Sequence, residues 1–394
     1  MRSNIKLGTI HGIEIGLHYS WFIMAALIAF SLGEHFRQVN RNWSPAEVWI
    51  AALFTAVLFF VTLLLHELAH SLVAQARGLK VKAITLFALG GVSQIEEDAA
   101  DAKTEFWVAI AGPIASLIIG FGCVAIAAAL GWRPSAEPRT GPTAVLVWLG
   151  YINVGLGLFN LIPGFPLDGG RVFRAIVWAI TKNADRSTRI AARVGQVVAF
   201  LFILAGLWSF FGGAGLNGLW TAFIGWFLMD AATSSYSQVD VAAAFRGMRV
   251  SDVMSRDCAM VNRGMSLQEF VDTYVLKTGQ RCFAVEDHGR FVGLITLRDV
   301  GAVPREHWES TTVREAMRPI EALQVITPET QVLDALKLMA GNDINQLPVV
   351  ADGTLQGVVS RSHLMQLLQA RSDLQAPGAH YARLHRMSHR GVTS

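Results

Sequence analysis

The stretch Phe59-Phe-Val-Thr-Leu-Leu-Leu-His66-Glu67-Leu-Ala-His70 sets two imidazoles and a carboxylate at the end of an uninterrupted apolar run. Spanning a hydrocarbon layer takes about 20 mostly apolar residues in a helix, and residues 48–74 supply them. Positions i and i+4 share a helix face, so His66 and His70 converge on one point with Glu67 beside them, the HExxH arrangement for holding a metal ion. Chance is the bland alternative, and location argues against it. A charged side chain at membrane depth costs about 2.5–3.5 kcal/mol unless paired or liganded. A catalytic zinc usually takes three protein ligands, so a third acidic or imidazole group is expected at similar depth on another segment. Asp168 qualifies. It follows Asn160-Leu-Ile-Pro-Gly-Phe-Pro-Leu167, where Pro163 and Pro166 interrupt a helix and leave irregular backbone, tolerated at that depth only inside protein or beside water. A turn residue in Asp168-Gly-Gly is the competing reading.

The chain around this motif is 52% hydrophobic and 16% charged over 394 residues, a balance soluble domains rarely show. Six apolar runs are long enough to span, near 17–33, 48–74, 106–131, 143–162, 195–212 and 217–234. Residues 170–181 are apolar but too short, which suits an interfacial or re-entrant helix. An even number of spans puts both termini on one side. Segments 1–16, 75–105 and 163–194 hold 2, 4 and 6 Lys and Arg, against 2, 2 and 0 in 34–47, 132–142 and 213–216. Positive charge is retained in the cytoplasm, so cytosolic termini in the inner (plasma) membrane are expected. The polar stretch Met1 to Gly16 lacks a small-residue cleavage site after it, and the first run reads as a retained span. Weak alternation in 79–96 around Gly90 and Gly91 suggests a short β-hairpin at the cytosolic face. Cys123, Cys258 and Cys282 lie far apart and make no disulfide framework or thiolate metal site. The net charge of +3, with no basic stripe interleaved with aromatics, argues against nucleic acid.

Residues 236–394 read as soluble and repeat internally at about 64 residues. Val250-Ser-Asp-Val-Met254 matches Val313-Arg-Glu-Ala-Met317. Phe283-Ala-Val-Glu-Asp287 with Gly293-Leu-Ile-Thr296 matches Leu347-Pro-Val-Val-Ala351 with Gly357-Val-Val-Ser360. The expected architecture is a polytopic α-helical membrane domain over 1–235, α/β repeats over 246–306 and 309–371, and a disordered tail over 372–394.

HExxH in a transmembrane helix, followed downstream by NxxPxxPxDGGR, closely resembles the site-2 protease family of intramembrane metalloproteases. The pattern falls on His66, Glu67, His70, Asn160, Pro163, Asp168, Gly169 and Gly170. Ala111-Gly112-Pro113, Leu89-Gly90-Gly91 and His18-Tyr-Ser-Trp21 are also similar to that family. The resemblance implies that His66, His70 and Asp168 bind one Zn2+ per chain and that Glu67 is the general base. It further implies that the substrate is a membrane-spanning protein cut near the cytosolic face. Chemistry is consistent with these roles, since a carboxylate beside a metal-bound water takes its proton and passes it to a leaving amine. The Asn160 amide is suited to hydrogen-bond substrate backbone or a developing oxyanion, or else to satisfy a freed backbone group. The Gly90-Gly91 hairpin would pair with an unwound substrate as an added strand, or else cap the metal cleft.

The repeats resemble tandem CBS domains, βαββα units that stack in pairs and often bind adenosyl ligands. That resemblance implies ATP, ADP or AMP contacts at Thr296, Asp299 and Ser360. His363 stands where the second copy would carry an Asp, so at most one nucleotide site is expected. A pair that only forms a homodimer or supports the membrane part is the alternative. A transporter with CBS modules and an inactive scaffold are the rival readings of the whole chain.

Overall fold

The computed structural model describes residues 4–39, 41–88, 90–95, 99–134, 137–138, 140–256, 258–278, 282–342 and 344–375. The chain divides into two compact units, Met1–Val239 and Asp240–Ser394.

The first unit is a helical bundle with one small sheet. Its helices are α1 (Ser20–Val39), α2 (Pro45–Ala76), α3 (Ala102–Ala129), α4 (Gly141–Asn160), α5 (Asp168–Thr181), α6 (Ala184–Ser209) and α7 (Leu216–Phe245), whose residues from Asp240 on belong to the second unit. α2 starts where a capping box demands it: the Glu47 amide donates to Ser44 Oγ at 3.3 Å, the Ser44 amide donates back to the Glu47 carboxylate at 2.7 Å, and Pro45 takes the first helical position. α3 and α4 meet through small residues, with a Cβ on Gly120 falling 2.9 Å from the Gly150 carbonyl oxygen and one on Gly150 falling 3.2 Å from that of Gly120. The short run expected at 170–181 is α5.

Among the described residues, four helices are long and apolar enough to cross a membrane: Pro45–Ala76, Ala102–Ala129, Gly141–Asn160 and Ala184–Gly213. Six runs were expected, and α1 and α7 fall outside that set. α1 spends its last turns on Glu34, His35 and Arg37, and α7 carries Asn217 and Asp230 within its apolar stretch. The fifth run also begins earlier than expected, at Ala184, because Asp185, Arg186, Arg189 and Arg193 sit on its first turns.

The hairpin is β3 (Val81–Phe87) with β4 (Gly90–Ile95); Leu89 and residues 96–98 lie outside the described residues. It belongs to a larger sheet than expected. The polar N-terminal stretch folds into β1 (Ile5–Ile10) and β2 (Ile13–Leu17), giving the order β1-β2-β3-β4 with β2 parallel to β3 and the other pairs antiparallel. The turn between β1 and β2 is His11-Gly12 with φ of 49° and 78°, both left-handed, the two-residue hairpin turn whose twist suits flanking strands. The buried side chains of Ile13, Val81 and Ile84 pack with Ala74 of α2, and those of Leu17 and Leu86 with Phe60 and Leu63, so the sheet lies along the α2 segment that carries HExxH.

In the second unit each repeat contributes one hairpin. The first contains β6 (Cys282–Asp287) and β7 (Arg290–Thr296), with β5 (Met260–Asn262) parallel to β6 and β8 (Arg318–Pro319) on β7; the second contains β9 (Gln346–Ala351) and β10 (Thr354–Ser360). The copies exchange their leading segments. Val313 opens the second copy yet is fully buried with Phe270, Phe283 and Ile295 of the first, while Val250 and Val253 open the first copy and are buried with Leu347, Val349 and Leu364 of the second. Backbone bonds follow the same exchange, from the Val313 amide to the Met265 carbonyl at 2.8 Å and from the Val250 amide to the Thr330 carbonyl at 2.8 Å. The last helix, Arg361–Gln375, continues past Ser372, where the tail was expected to begin, and residues 376–394 lie outside the described residues.

Candidate metal centre

His66 and His70 lie in the last third of α2, roughly 9–15 Å from its C-terminal end at 1.5 Å per residue. Asp168 is the first residue of α5, delivered there by the irregular 161–167 segment. A Cβ on Gly169 would collide with the Leu161 carbonyl and one on Gly170 with the backbone at Gly164, so α5 starts in direct contact with the chain leaving α4. The three side chains meet: His66 Nε2 and His70 Nε2 each lie 3.2 Å from Asp168 Oδ2 and 3.2 Å from one another. The two imidazoles are buried, and Asp168 keeps 16% of its side-chain surface.

The arrangement fits a small cation. His70 Nδ1 lies 2.7 Å from the Val108 carbonyl oxygen, which only accepts, so Nδ1 carries a proton, and in a neutral ring this leaves a lone pair at Nε2 facing a carboxylate oxygen. Lone pairs gathered at that spacing repel unless a positive charge sits among them. Nitrogen and oxygen ligands held about 2.0–2.1 Å from zinc in tetrahedral geometry stand roughly 3.3 Å apart, close to the observed triangle. His66 Nδ1 in turn pairs with Ser116 Oγ at 2.8 Å, so both rings are oriented from α3 through their outer nitrogens. Between Val108 and Ser116 stands Gly112, where a Cβ would fall against His70 Nε2 and 2.6 Å from His66 Nε2. Glycine there keeps the space between the two imidazoles open. Among the described residues this is the group of His, Cys, Asp and Glu side chains able to hold a metal ion.

Glu67 is half-buried beside the ligands and is held from the sheet. Ser93 Oγ on β4 donates to Glu67 Oε2 at 2.9 Å, and Ser71 Oγ, one turn along α2, donates to Ser93 Oγ at 3.1 Å. A Cβ on Gly91 would strike Glu67 Cγ and lie 3.0 Å from Cδ, so the glycine at 91 makes room for this carboxylate. Gly90 opens β4 at φ of 141° with free space where a side chain would be. Asn160 is the last residue of α4, immediately before the Leu161 backbone on which Gly169 rests, and is half-buried. Ser71, Ser93, Val108, Gly112 and Ser116 carried no motif of their own. Only Gly112 had a sequence signal, in Ala111-Gly112-Pro113.

In the repeats, Thr296 and Asp299 meet each other. The Thr296 hydroxyl donates to Asp299 Oδ2 at 2.6 Å and the Asp299 amide donates to Thr296 Oγ1 at 3.3 Å, a capping box on the helix that follows, while Arg318 Nε donates to Asp299 Oδ1 at 2.9 Å. Ser360 accepts from the His363 amide at 3.2 Å, a cap, and its hydroxyl lies 3.2 Å from Ser362 Oγ.

Comparison with known proteins gives the same division of the chain. The model of peptidase family M50 matches residues 54–134 and 122–204, and that of the CBS domain matches residues 250–301 and 313–370. The sll0528 protein of Synechocystis sp. is 33% identical over 94% of this chain and 96% of its own. The zinc metalloprotease MJ0392 of Methanocaldococcus jannaschii is 30% identical over 95% of this chain and 100% of its own. Among solved structures, the site-2 protease from M. jannaschii is 30% identical, covering 59% of this chain and 94% of its own at a TM-score of 0.40.

Replacing Gly112 with Ala is expected to abolish metal retention although no ligand is touched. Metal content of the purified protein tests this, with Gly122→Ala as control, since a Cβ at Gly122 meets nothing within 4 Å. A Gly112→Ala protein with a full complement of metal would show that the space between the imidazoles is not where the ion sits.

Proposed function

Because the chain belongs to peptidase family M50, the site-2 protease family of zinc metalloproteases, and carries a tandem CBS pair, we propose that it hydrolyses peptide bonds in or near transmembrane segments of membrane-protein substrates. His66, His70 and Asp168 are the zinc ligands in this reading, Glu67 is the general base and Asn160 binds substrate backbone or oxyanion. The observation that carries it is the convergence of two imidazoles and a carboxylate within 3.2 Å, the imidazoles on a helix long and apolar enough to cross a membrane, with a second carboxylate beside them tethered to a strand. The chemistry zinc supplies at such a site is Lewis acidity toward a carbonyl and toward a water whose pKa falls to about 7. Ser93 occupies Oε2 of Glu67, which leaves Oε1 to take a proton and deliver it to the leaving amine.

A transmembrane helix hides its carbonyls in its own hydrogen bonds, so a substrate must unwind before it is cut. β4 is the terminal strand of its sheet, and its positions 91 and 93 already face Glu67, one by lacking a side chain and the other through a hydroxyl. An extended substrate added to the outer edge of β4 would run past Glu67. In this reading α1 and α7 also cross the plasma membrane, giving six spans and cytosolic termini. Phe22, Ile23, Leu27 and Phe30 of α1 and Trp220, Phe223 and Trp226 of α7 are exposed apolar side chains that suit lipid. Reporter fusions read that topology: Thr140 is expected outside and Lys182 inside, and the reverse would overturn it.

For the CBS pair the reading is adenine-nucleotide binding at Thr296 and Asp299. A nucleotide would have to share Asp299 with Arg318, so Arg318→Ala should tighten it. Thermal shift of the full chain with ATP, ADP and AMP is the measurement, and no shift at millimolar nucleotide leaves the pair a structural or dimerising module.

The protease reading is tested with detergent-purified protein and a single-span substrate. Glu67→Gln at equal zinc content is expected to lower cleavage by about 10²–10⁴-fold. Cysteine at Val92, which is exposed on β4, should cross-link to substrate cysteines with a two-residue period. Undiminished cleavage by Glu67→Gln would remove the base, and cross-links without that period would remove the added strand. Ion flux from a wild type that cuts nothing would favour a transporter.

A further inference from the structure

One face of α3 carries Glu105, Val108, Gly112 and Ser116, at the spacing of successive helical turns. Three of these already have a task at the metal centre: Val108 and Ser116 orient the imidazoles, and Gly112 keeps the space between them. Glu105 is the fourth, and its side chain is only 3% exposed. A carboxylate so buried needs cations, and both of its partners come from α5. Arg171 Nε donates to Glu105 Oε1 at 3.1 Å and Arg171 Nη2 to Oε2 at 3.4 Å, while Arg174 Nη1 lies 3.6 Å from Oε1. Arg171 and Arg174 follow Asp168 on the same helix, one turn and two turns along.

We propose that Glu105 is a positioning residue that sets the zinc affinity of the centre by fixing α5 and, through it, the Asp168 carboxylate. The proposal rests on reading His66, His70 and Asp168 as the zinc ligands. α5 packs along α3 and α6, and its first residues touch the Leu161–Phe165 backbone through Gly169 and Gly170, which holds the start of the helix; the polar contact that orients it about its axis comes from α3. The planar fork of Arg171 against both oxygens of Glu105 supplies that orientation, because a bidentate pair tolerates little twist. Without it, Asp168 Oδ2 would swing off the point shared by the two imidazoles, which α3 holds independently. α3 thus reaches all three ligands, two through their outer nitrogens and the third through an ion pair.

Zinc affinity of the detergent-purified full chain, measured against a competing chelator, decides the matter. Glu105→Gln keeps the side chain's size and is expected to weaken zinc binding about 10–100-fold, the range seen when partners of metal ligands are removed. In an Asp168→Ala background the same substitution is expected to change affinity no further, since the group it positions is gone. Arg171→Lys keeps the charge and gives up the fork; it is expected to weaken zinc severalfold with the same dependence on Asp168, and it carries the test should Glu105→Gln not fold. Unchanged zinc affinity, or equal losses with and without Asp168, would overturn the proposal. A wild-type protein that binds no zinc would instead overturn the metal-centre reading beneath it.

Discussion

Three lone-pair atoms, His66 Nε2, His70 Nε2 and Asp168 Oδ2, stand 3.2 Å apart inside an apolar bundle, and the first unit is arranged around keeping them there. Nothing apolar holds such a triangle together, and burial makes every unpaired polar atom expensive. The protein meets this by giving each of the three groups a support away from the centre. His70 leans on a backbone carbonyl, His66 on a hydroxyl, and Asp168 on a helix anchored by a buried ion pair. All three supports come from α3, whose interior Pro113 and small residues let neighbouring helices approach closely. The α2 helix supplies the imidazoles, but α3 decides where they point.

The sheet constrains the other side. Glu67 belongs to the same helical turns as the imidazoles, yet its carboxylate is tied to Ser93 on β4 and fits only because residue 91 has no side chain. The glycine pair that sequence reading assigned to substrate therefore has a prior task at position 91, making room for the carboxylate. These demands are compatible: a strand that packs a glycine and a serine on Glu67 keeps its outer edge beside the same carboxylate. Removing the sheet would free that carboxylate as well as any surface for an extended peptide.

What was legible in the sequence were groups whose chemistry is costly in the wrong place. His66, Glu67 and His70 stood out in an apolar run, and Asp168 stood out because Pro163 and Pro166 left no helix to bury it in. Asn160 was legible only through the NxxPxxPxDGGR resemblance, whereas Ser93 and Ser116 are ordinary residues with no such signal, and their places depend on how helices and strands meet. The N-terminal strands were missed for a different reason. Ile13-Glu14-Ile15-Gly16-Leu17 alternates strictly and His11-Gly12 is a two-residue hairpin turn, so the signal was there, but in runs too short and too polar to stand out ahead of the first long apolar run. Apolar length counted six spans. The charges at the end of α1 and within α7 divide them into four plain cases and two that depend on their exposed aromatic and aliphatic faces.

The repeats show where linear order misleads. Sliding the sequence along itself pairs Val250 with Val313 but gives no hint that each is buried in the other copy. Because of that exchange, neither copy has a complete core of its own, and a ligand that tightens one must act on a segment leading into the other. Phe245, the last residue of α7, is 1% exposed and buried with Val250, Leu347 and Leu364. The end of that helix is therefore built into the core of the second copy, although the first copy follows it in sequence. A ligand couples to the rest of the chain only by its different affinity for two arrangements of such a core.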